Sequence, residues 1–398
     1  MALIVQKYGG QILSTPEKIK TIAQKIKTQT EKGDKIIAVV SAMGASTDGL
    51  IDLAYQVSNR PIRRELDMLL SVGERISMSL LSMALNDLGI SAKSFTGSQS
   101  GILTENDFTQ ARILEIKPIR IQKELQSHNV IIIAGFQGVS EAEKEITTLG
   151  RGGTDTTAVA MAYAMQADKV EILKEVGGIY SADPKLVKSA VRYSHLPYAV
   201  ALEACYWGAK ILHYRAVELA KKLSIPIEIQ HIDNPGVTTL ISNFKNGDQT
   251  MLETKEILTI SSQKNVAVCE FETTLQEGLQ NLNEVLLQNS LPWPQVLATE
   301  TEGNCVKFFI SSSDESLKVV LDVVKKAKGF KSHQENLATV SATCFGSTNT
   351  NTSLKILNQF KKVSIEPLKM FFTPQSIAVL IESSKQDKAI QALHSLIV

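Results

Sequence analysis

The stretch richest in chemistry is Thr147-Thr148-Leu149-Gly150-Arg151-Gly152-Gly153-Thr154-Asp155-Thr156-Thr157-Ala158. Its glycines at 150, 152 and 153 permit a tight turn and leave backbone N–H groups unscreened by side chains. Where a helix begins, such N–H groups and the helix dipole attract anions. Arg151 adds a planar fork that grips a carboxylate or phosphate through two bonds. The chemistry on offer is therefore anion binding. A plainer reading stays open at this point, a surface loop whose Thr154 or Asp155 only caps the helix.

Other polar groups sit where an α/β chain would bring them to the same place. Ala2–Gln6 reads as a buried strand ending in Lys7-Tyr8-Gly9-Gly10, and a helix follows with Ser14 or Thr15 capping and Pro16 in its first turn. Lys35–Val40 reads as a second strand running into Ser41-Ala42-Met43-Gly44, and Val130–Ala134 as a third. Thr47 opens a helix with Asp48 in its first turn. The periodicity from Glu65 to Leu88 predicts one helix, with Gly73 and Glu74 inside it. Glycine is costly there, so Glu74 is a candidate ligand contact; an ion pair with Arg75 is the alternative. A small-residue helix is expected over Thr156–Ala167 and a strand over Lys169–Leu173. The loop from Lys174 to Lys185, with Gly177, Gly178 and Tyr180, suits closure over a flat anionic ligand such as a nucleotide. Tyr198–Leu223 is helical with a break at Gly208-Ala209-Lys210, and His213 beyond it reads as a packing residue, not a base. Ile225–Ile229 is a last strand, its proline near the start. In such sheets ligands collect at the carboxyl ends of the strands.

The bulk numbers narrow the class. A chain of 398 residues, 43% hydrophobic and 21% charged, has room for two or three packed domains. With 42 basic and 41 acidic residues it carries no field to attract nucleic acid or a membrane surface. Cys205, Cys269, Cys305 and Cys344 lack any paired spacing, so reduced core cysteines are expected, not disulfides or a zinc site. The opening residues are too short an apolar run for a signal peptide, and no uninterrupted run approaches the ~18 residues that cross a bilayer. A soluble cytoplasmic protein is the expectation.

Residues 234–257 are polar and rich in turns, which places a boundary near 245. Beyond it a pattern repeats: strand 264–271, helix 274–289, strands 295–300 and 305–310, helix 314–327; then strand 337–345, helix 351–361, strands 363–371 and 376–382, helix 385–396. Two βαββα units imply paired small α+β modules that bind a regulator or form an interface.

Taken in order, these pieces resemble the aspartate kinases of the amino-acid-kinase family, followed by two ACT modules. The resemblance covers essentially the whole chain. It rests on Lys7-Tyr8-Gly9-Gly10, Val39–Gly44 with Thr47-Asp48, Ser71–Ser77, Gly135-Phe136-Gln137-Gly138, Thr147–Ala158, Gly178–Pro184 and Gly208–His213. It implies an α/β fold of amino-acid-kinase type, an open, mostly parallel sheet with helices on both faces. Its spans would be 1–245 for the catalytic domain, and 258–330 and 335–398 for two ACT-like modules.

The implied reaction moves the ATP γ-phosphoryl group to the β-carboxylate of L-aspartate. A carboxylate nucleophile, with a pKa near ~4, needs no general base, so positioning and charge neutralisation carry the catalysis. By the resemblance, Lys7 with Gly9 and Gly10 holds the transferring group, Ser41 assists, and Asp155 orients Lys7. Arg151, with Gly152 and Gly153 beside it, grips the substrate α-carboxylate; Glu74 pairs with the α-ammonium; Thr47 and Thr154 add hydrogen bonds. Lys174, Glu175, Tyr180, Lys185, Lys210 and Ile211 occupy the nucleotide positions, and Mg2+ sits mainly on phosphates. A homodimer through the ACT modules and lysine or threonine as effector are further implications. The chain departs from the family pattern at Gln11-Ile12, at Lys174-Glu175, at Lys185, at His213-Tyr214-Arg215, and at Glu272-Thr273-Thr274 and Asn349-Thr350-Asn351. These changes leave two other readings open: a binding paralogue without turnover, and a kinase for another small acid.

Overall fold

The computed structural model describes residues 2–243, 257–289, 291–312, 314–344 and 350–397. The boundary near 245 and Asn349 lie outside the described residues. The chain divides into two compact units, Met1–Ile179 with Tyr193–Ala201 and Ile211–Phe244, and Tyr180–Arg192 with Leu202–Lys210 and Lys245–Val398. Two stretches inside the 1–245 span, 180–192 and 202–210, thus belong to the second unit.

The chain runs β1 (Leu3–Tyr8), α1 (Pro16–Thr30), β2 (Lys35–Val40), α2 (Ser46–Val57), α3 (Arg63–Leu70), α4 (Val72–Asp87), β3 (Ala92–Phe95), β4 (Ile102–Thr104), β5 (Ile113–Ile116) and α5 (Ile119–Glu124). It continues through β6 (Val130–Ala134), β7 (Gln137–Ser140), β8 (Ile146–Thr148), α6 (Gly153–Ala164), β9 (Lys169–Lys174), β10 (His195–Leu196), α7 (Tyr198–Tyr206), α8 (Tyr214–Leu223), β11 (Ile227–His231) and β12 (Thr238–Ile241). Eight strands form an open sheet in the order β10-β12-β11-β9-β1-β2-β6-β3, parallel except for the β11–β12 pair.

Strands β2 and β6 are buried on both faces, as continuous Ile/Val runs in a parallel sheet require. Tyr8, Ile36, Ala38, Ile132 and Ala134 face a core shared with Ile19, Ile22 and Ile26 of α1 and Met78 and Leu81 of α4. The alternate residues face the other side, where Lys7 meets α6. Thr15 caps α1 by accepting from the Lys18 N–H, with Pro16 at the first turn. A second sheet, β5-β4-β7-β8, was not legible in the sequence, because its strands are three or four residues long.

The helix expected over 65–88 is two, broken at Ser71. The Ser71 carbonyl accepts a hydrogen bond from the Gln137 side chain at 2.9 Å. Together, Arg63–Asp87 form the one helical stretch among the described residues long and apolar enough to cross a bilayer. Half of its most apolar 18-residue window is buried in the protein, and the stretch holds the buried carboxylates Asp67 and Glu74, as a core helix does.

The second unit contains β13 (Ile257–Glu272), α9 (Leu275–Gln288), β14 (Gln295–Glu302), β15 (Cys305–Ser311), α10 (Asp314–Val324), β16 (Phe330–Cys344), α11 (Thr350–Lys362), β17 (Lys369–Phe372), β18 (Ser376–Glu382) and α12 (Gln386–His394). These are two βαββα repeats, yet they share one sheet, β14-β15-β13-β16-β18-β17, joined by the antiparallel β13–β16 pair. Both joining strands are about twice the expected length, because each serves two cores. Ile257 and Ile260 pack with Ile356, Phe360 and Leu393, whereas Ala267, Cys269 and Phe271 pack with Leu282, Leu286 and Val320. All four cysteines are outside disulfides.

Candidate active site

Register alone gathers the polar loops. Tyr8 is paired with Val40 and with Leu173, and Val40 with Ala134. The turns after these residues, at Gly9-Gly10, Ser41–Gly44, Gly135-Phe136 and Lys174–Gly178, therefore leave one edge of the sheet side by side. β1 lies where the connections diverge, with β2 on one flank and β9 on the other, the crevice where open α/β sheets hold ligands.

Lys7 and Asp155 form a buried ion pair there, Nζ to Oδ1 2.7 Å, each side chain under 10% exposed. Burial drives the Asp155 carboxyl upward, but Lys7, Lys174 and the His213 N–H together hold it below the ordinary range. Asp155 Oδ2 accepts from the His213 N–H at 3.3 Å, and Lys174 Nζ donates to the Ile211 carbonyl. A side-chain carbon at Gly9 would lie 3.7 Å from Lys7 Nζ, so the glycine leaves the ammonium open on that side. At Gly10 such a carbon would stand 2.7 Å from the Ala42 carbonyl, and the Gly44 N–H donates to the Gly10 carbonyl at 2.9 Å.

Helix α6 begins at Gly153, three residues earlier than the periodicity predicts, with Gly152 at φ 71° as its cap. Thr154 and Asp155 thus stand in its first turn and cap nothing. The extra turn is stabilised tertiarily: Thr157 Oγ1 accepts from the Phe136 N–H, and Thr154 packs against Gly135, where a methyl would meet its Cγ2 at 2.6 Å. Arg151 is exposed in the turn before this helix.

Glu74 lies in the first turn of α4 and is 3% exposed. It does not pair with Arg75. Its Oε1 accepts from the Ala42 N–H at 3.0 Å, and Oε2 is buried with no hydrogen-bond partner among the described residues. Burial raises its pKa to about 7, against the pull of the Glu74 and Ala42 backbone N–H groups. The glycine before it is explained by contact, since a methyl at Gly73 would stand 2.7 Å from the Ala42 methyl. Ser77 Oγ donates to the Ser41 carbonyl at 2.6 Å, fixing the same turn, and Thr47 is half-buried in the first turn of α2.

His213 caps α8, accepting from the Arg215 N–H, and stacks on Tyr214. Burial, then Arg215, lowers its pKa to about 4. A pKa this low makes it a weak proton acceptor, and its Nδ1 is already engaged by the Arg215 N–H, so it is poorly placed to act as a base.

The nucleotide-side candidates divide. Lys174 and Ile211 belong with this constellation. Glu175 is exposed and pairs with Lys18 at 3.2 Å. Tyr180, Lys185 and Lys210 lie in the second unit, where Ala182 and Val187 of the same stretch are buried beside Ile260 and Phe360. Sequence reasoning passed over Asp67, which lies fully buried in α3 and accepts hydrogen bonds from Thr109 and Thr148. An aspartate inside the apolar run Leu66-Asp67-Met68-Leu69-Leu70 was the available signal.

A lysine near the carboxyl end of β1 and a glycine-led helix that carries its carboxylate partner thus meet at the switch point of the sheet. The chain belongs to the amino acid kinase family, whose profile matches residues 2–231. Among its relatives is an aspartokinase of Bacillus sp. strain MGA3, 36% identical over 401 residues that cover 99% of this chain and 97% of that one. The aspartate kinase from Synechocystis superposes with a TM-score of 0.56 at 30% identity, over 100% of this chain and 69% of that one. The fold also matches E. coli aspartokinase III in complex with aspartate and ADP, with a TM-score of 0.79 at 19% identity over 99% of each chain.

Proposed function

We propose that this chain is an ATP-dependent aspartate kinase, making 4-phospho-L-aspartate by transfer of the γ-phosphoryl group to the β-carboxylate of L-aspartate. The observation that carries this reading is the buried Lys7–Asp155 pair at the sheet's switch point, in a chain with full-length aspartokinase relatives. A β-carboxylate oxygen forms the new bond to phosphorus as the β–γ bridge breaks, and ADP leaves with the electron pair. The nucleophile is already ionised, so the site needs cations and N–H groups, not a base.

Each residue has a role in that scheme. Lys7, held in line by Asp155, neutralises charge on the transferring group, with Gly9, Gly10 and Ser41 beside it. Arg151, beside Gly152 and Gly153, grips the α-carboxylate, and the unpartnered Glu74 Oε2 accepts from the α-ammonium. Thr47 and Thr154 add hydrogen bonds. Lys174, Glu175 and Ile211 are the nucleotide-side residues of the first unit. A Mg2+ ion would be carried in mainly on the phosphates. When bound there, it shields the phosphate charge.

The two repeats of the second unit serve as ACT-type regulatory modules within a cytoplasmic homodimer. Lysine is a candidate effector, since E. coli aspartokinase III has been captured in complex with lysine and aspartate; threonine is the other. The reaction would open a route towards lysine, threonine and methionine. A coupled ADP-release assay with ATP, Mg2+ and L-aspartate, with and without lysine and threonine, tests the reading. Aspartate-dependent turnover supports it, and its absence at millimolar aspartate overturns it.

A further inference from the structure

Asp67 is a carboxylate that the scheme above leaves without a role, and burying it is expensive. It is 0% exposed, and desolvation pushes its pKa to about 6 against three hydrogen-bond donors and the pull of Arg63. What its bonds hold is specific. Oδ1 and Oδ2 both accept from the Thr109 N–H, at 3.1 and 3.0 Å. Oδ2 also accepts from the Thr148 N–H at 2.8 Å, and Oδ1 from the Thr148 hydroxyl at 2.6 Å.

Both anchor points border the Arg151 turn. Thr148 is the last residue of β8, three before Arg151, and its carbonyl accepts from the Ala111 N–H at 3.0 Å. Thr109 has φ 71°, unusual for a branched residue, and its carbonyl lies 2.9 Å from where a side chain at Gly150 would begin. The next residue, Leu149, is tied through its N–H to the Phe136 carbonyl at 2.8 Å and through its carbonyl to Arg215 at 2.6 Å. The other end of the link is α3, which hands over at Ser71 to α4 and Glu74, two helical turns beyond Asp67.

We propose that Asp67 is a positioning residue that sets the separation between Arg151 and Glu74, and hence the fit to the amino-acid substrate, without touching it. The proposal rests on the reading that Arg151 and Glu74 hold the α-carboxylate and α-ammonium. A displacement of an ångström in such a pair lowers kcat/KM by up to about 100-fold. The hydrogen bonds of Asp67 go to Thr109 and Thr148, which border the Arg151 turn, so the effect falls first on the substrate that Arg151 grips.

The test uses the full chain with Asp67→Asn, which keeps the volume but turns an amide N–H towards N–H donors, and Thr148→Val, which deletes only the hydroxyl donor. For Asp67→Asn the KM for aspartate rises about 10-fold or more, while the KM for ATP stays within about 2-fold. Thr148→Val shifts the aspartate KM the same way by a smaller factor. Unchanged aspartate KM in folded Asp67→Asn overturns the proposal, as does a parallel fall of both substrates' kcat/KM, the mark of a merely structural role. If Asp67→Asn does not fold, Thr148→Val decides alone. A wild-type protein that binds aspartate in calorimetry but does not turn it over refutes the functional reading only. The variants' affinities for aspartate then decide this proposal, and wild type failing to bind aspartate overturns both.

Discussion

Lys7 Nζ stands 2.7 Å from Asp155 Oδ1, and the two residues come from a strand and a helix start 148 positions apart. Both side chains are more than nine-tenths buried, so each charge depends heavily on the other for compensation. Lys7→Ala leaves Asp155 buried with only Lys174 and the His213 N–H to offset its charge. The expected loss is on the order of 100- to 1,000-fold in kcat, with a lowered melting temperature. Asp155→Asn keeps the shape and frees Lys7 to wander, and it lowers kcat further than it raises either KM. Steady-state kinetics with parallel thermal melts check both.

Glu74 makes aspartate use sensitive to pH. Its ionised form is required to meet an ammonium, and burial raises its pKa from 4.5 to about 7. Below about pH 7 the free enzyme holds it protonated, so kcat/KM for aspartate falls tenfold per pH unit on the acid side, a limb that Glu74→Gln abolishes. Stability runs the opposite way. A raised folded pKa favours the protonated fold, so this contribution is complete below pH 4.5 and is lost as pH rises through about 7. The span is about 3 kcal/mol. Melts of the ligand-free protein at pH 6 and pH 8 should therefore differ less in Glu74→Gln than in wild type.

Arg151 is exposed and grips, in our reading, a carboxylate through its fork. Arg151→Lys retains the charge and loses the two-bond geometry, so the aspartate KM rises about 10-fold while the ATP KM and the melting temperature hold. A shift in ATP KM of the same size would reassign the residue to the phosphates.

Gly152 sits at φ 71°, and a methyl there would lie 2.1 Å from the His213 Cβ. Gly152→Ala is thus strained twice, by backbone and by contact. It should destabilise the fold by about 2 kcal/mol or more and displace the α6 terminus that carries Asp155, with a drop in kcat beyond the loss of folded protein. Gly33→Ala, also at positive φ but with open space around it, isolates the backbone part and should lose stability without that drop in kcat.

The large sheet was legible because its strands are continuous apolar runs. Lys35–Val40 and Val130–Ala134 read from sequence at their observed ends, and Pro16 after Thr15 marked the start of α1. The break at Ser71 and the early start of α6 were not legible. Both depend on partners distant in sequence, Gln137 in one case and Gly135 with Phe136 in the other, and local propensity does not report those. The short strands β4, β5, β7 and β8 carry too few residues for a period to show, yet β8 delivers the Arg151 turn.

Residue order by itself determined which chemical groups this chain has available: one lysine near the end of the first strand, one arginine among glycines, and acids placed in apolar helices. It also determined the continuous apolar strands that make a sheet with two covered faces. Only the tertiary structure decided that Asp155 neutralises Lys7, that Glu74 bonds the Ala42 N–H instead of pairing with Arg75, and that residues 180–192 pack with the second unit. The physical reason is that pairing and desolvation depend on separation in space. Strand register and helix packing set those separations, and no sequence interval encodes them.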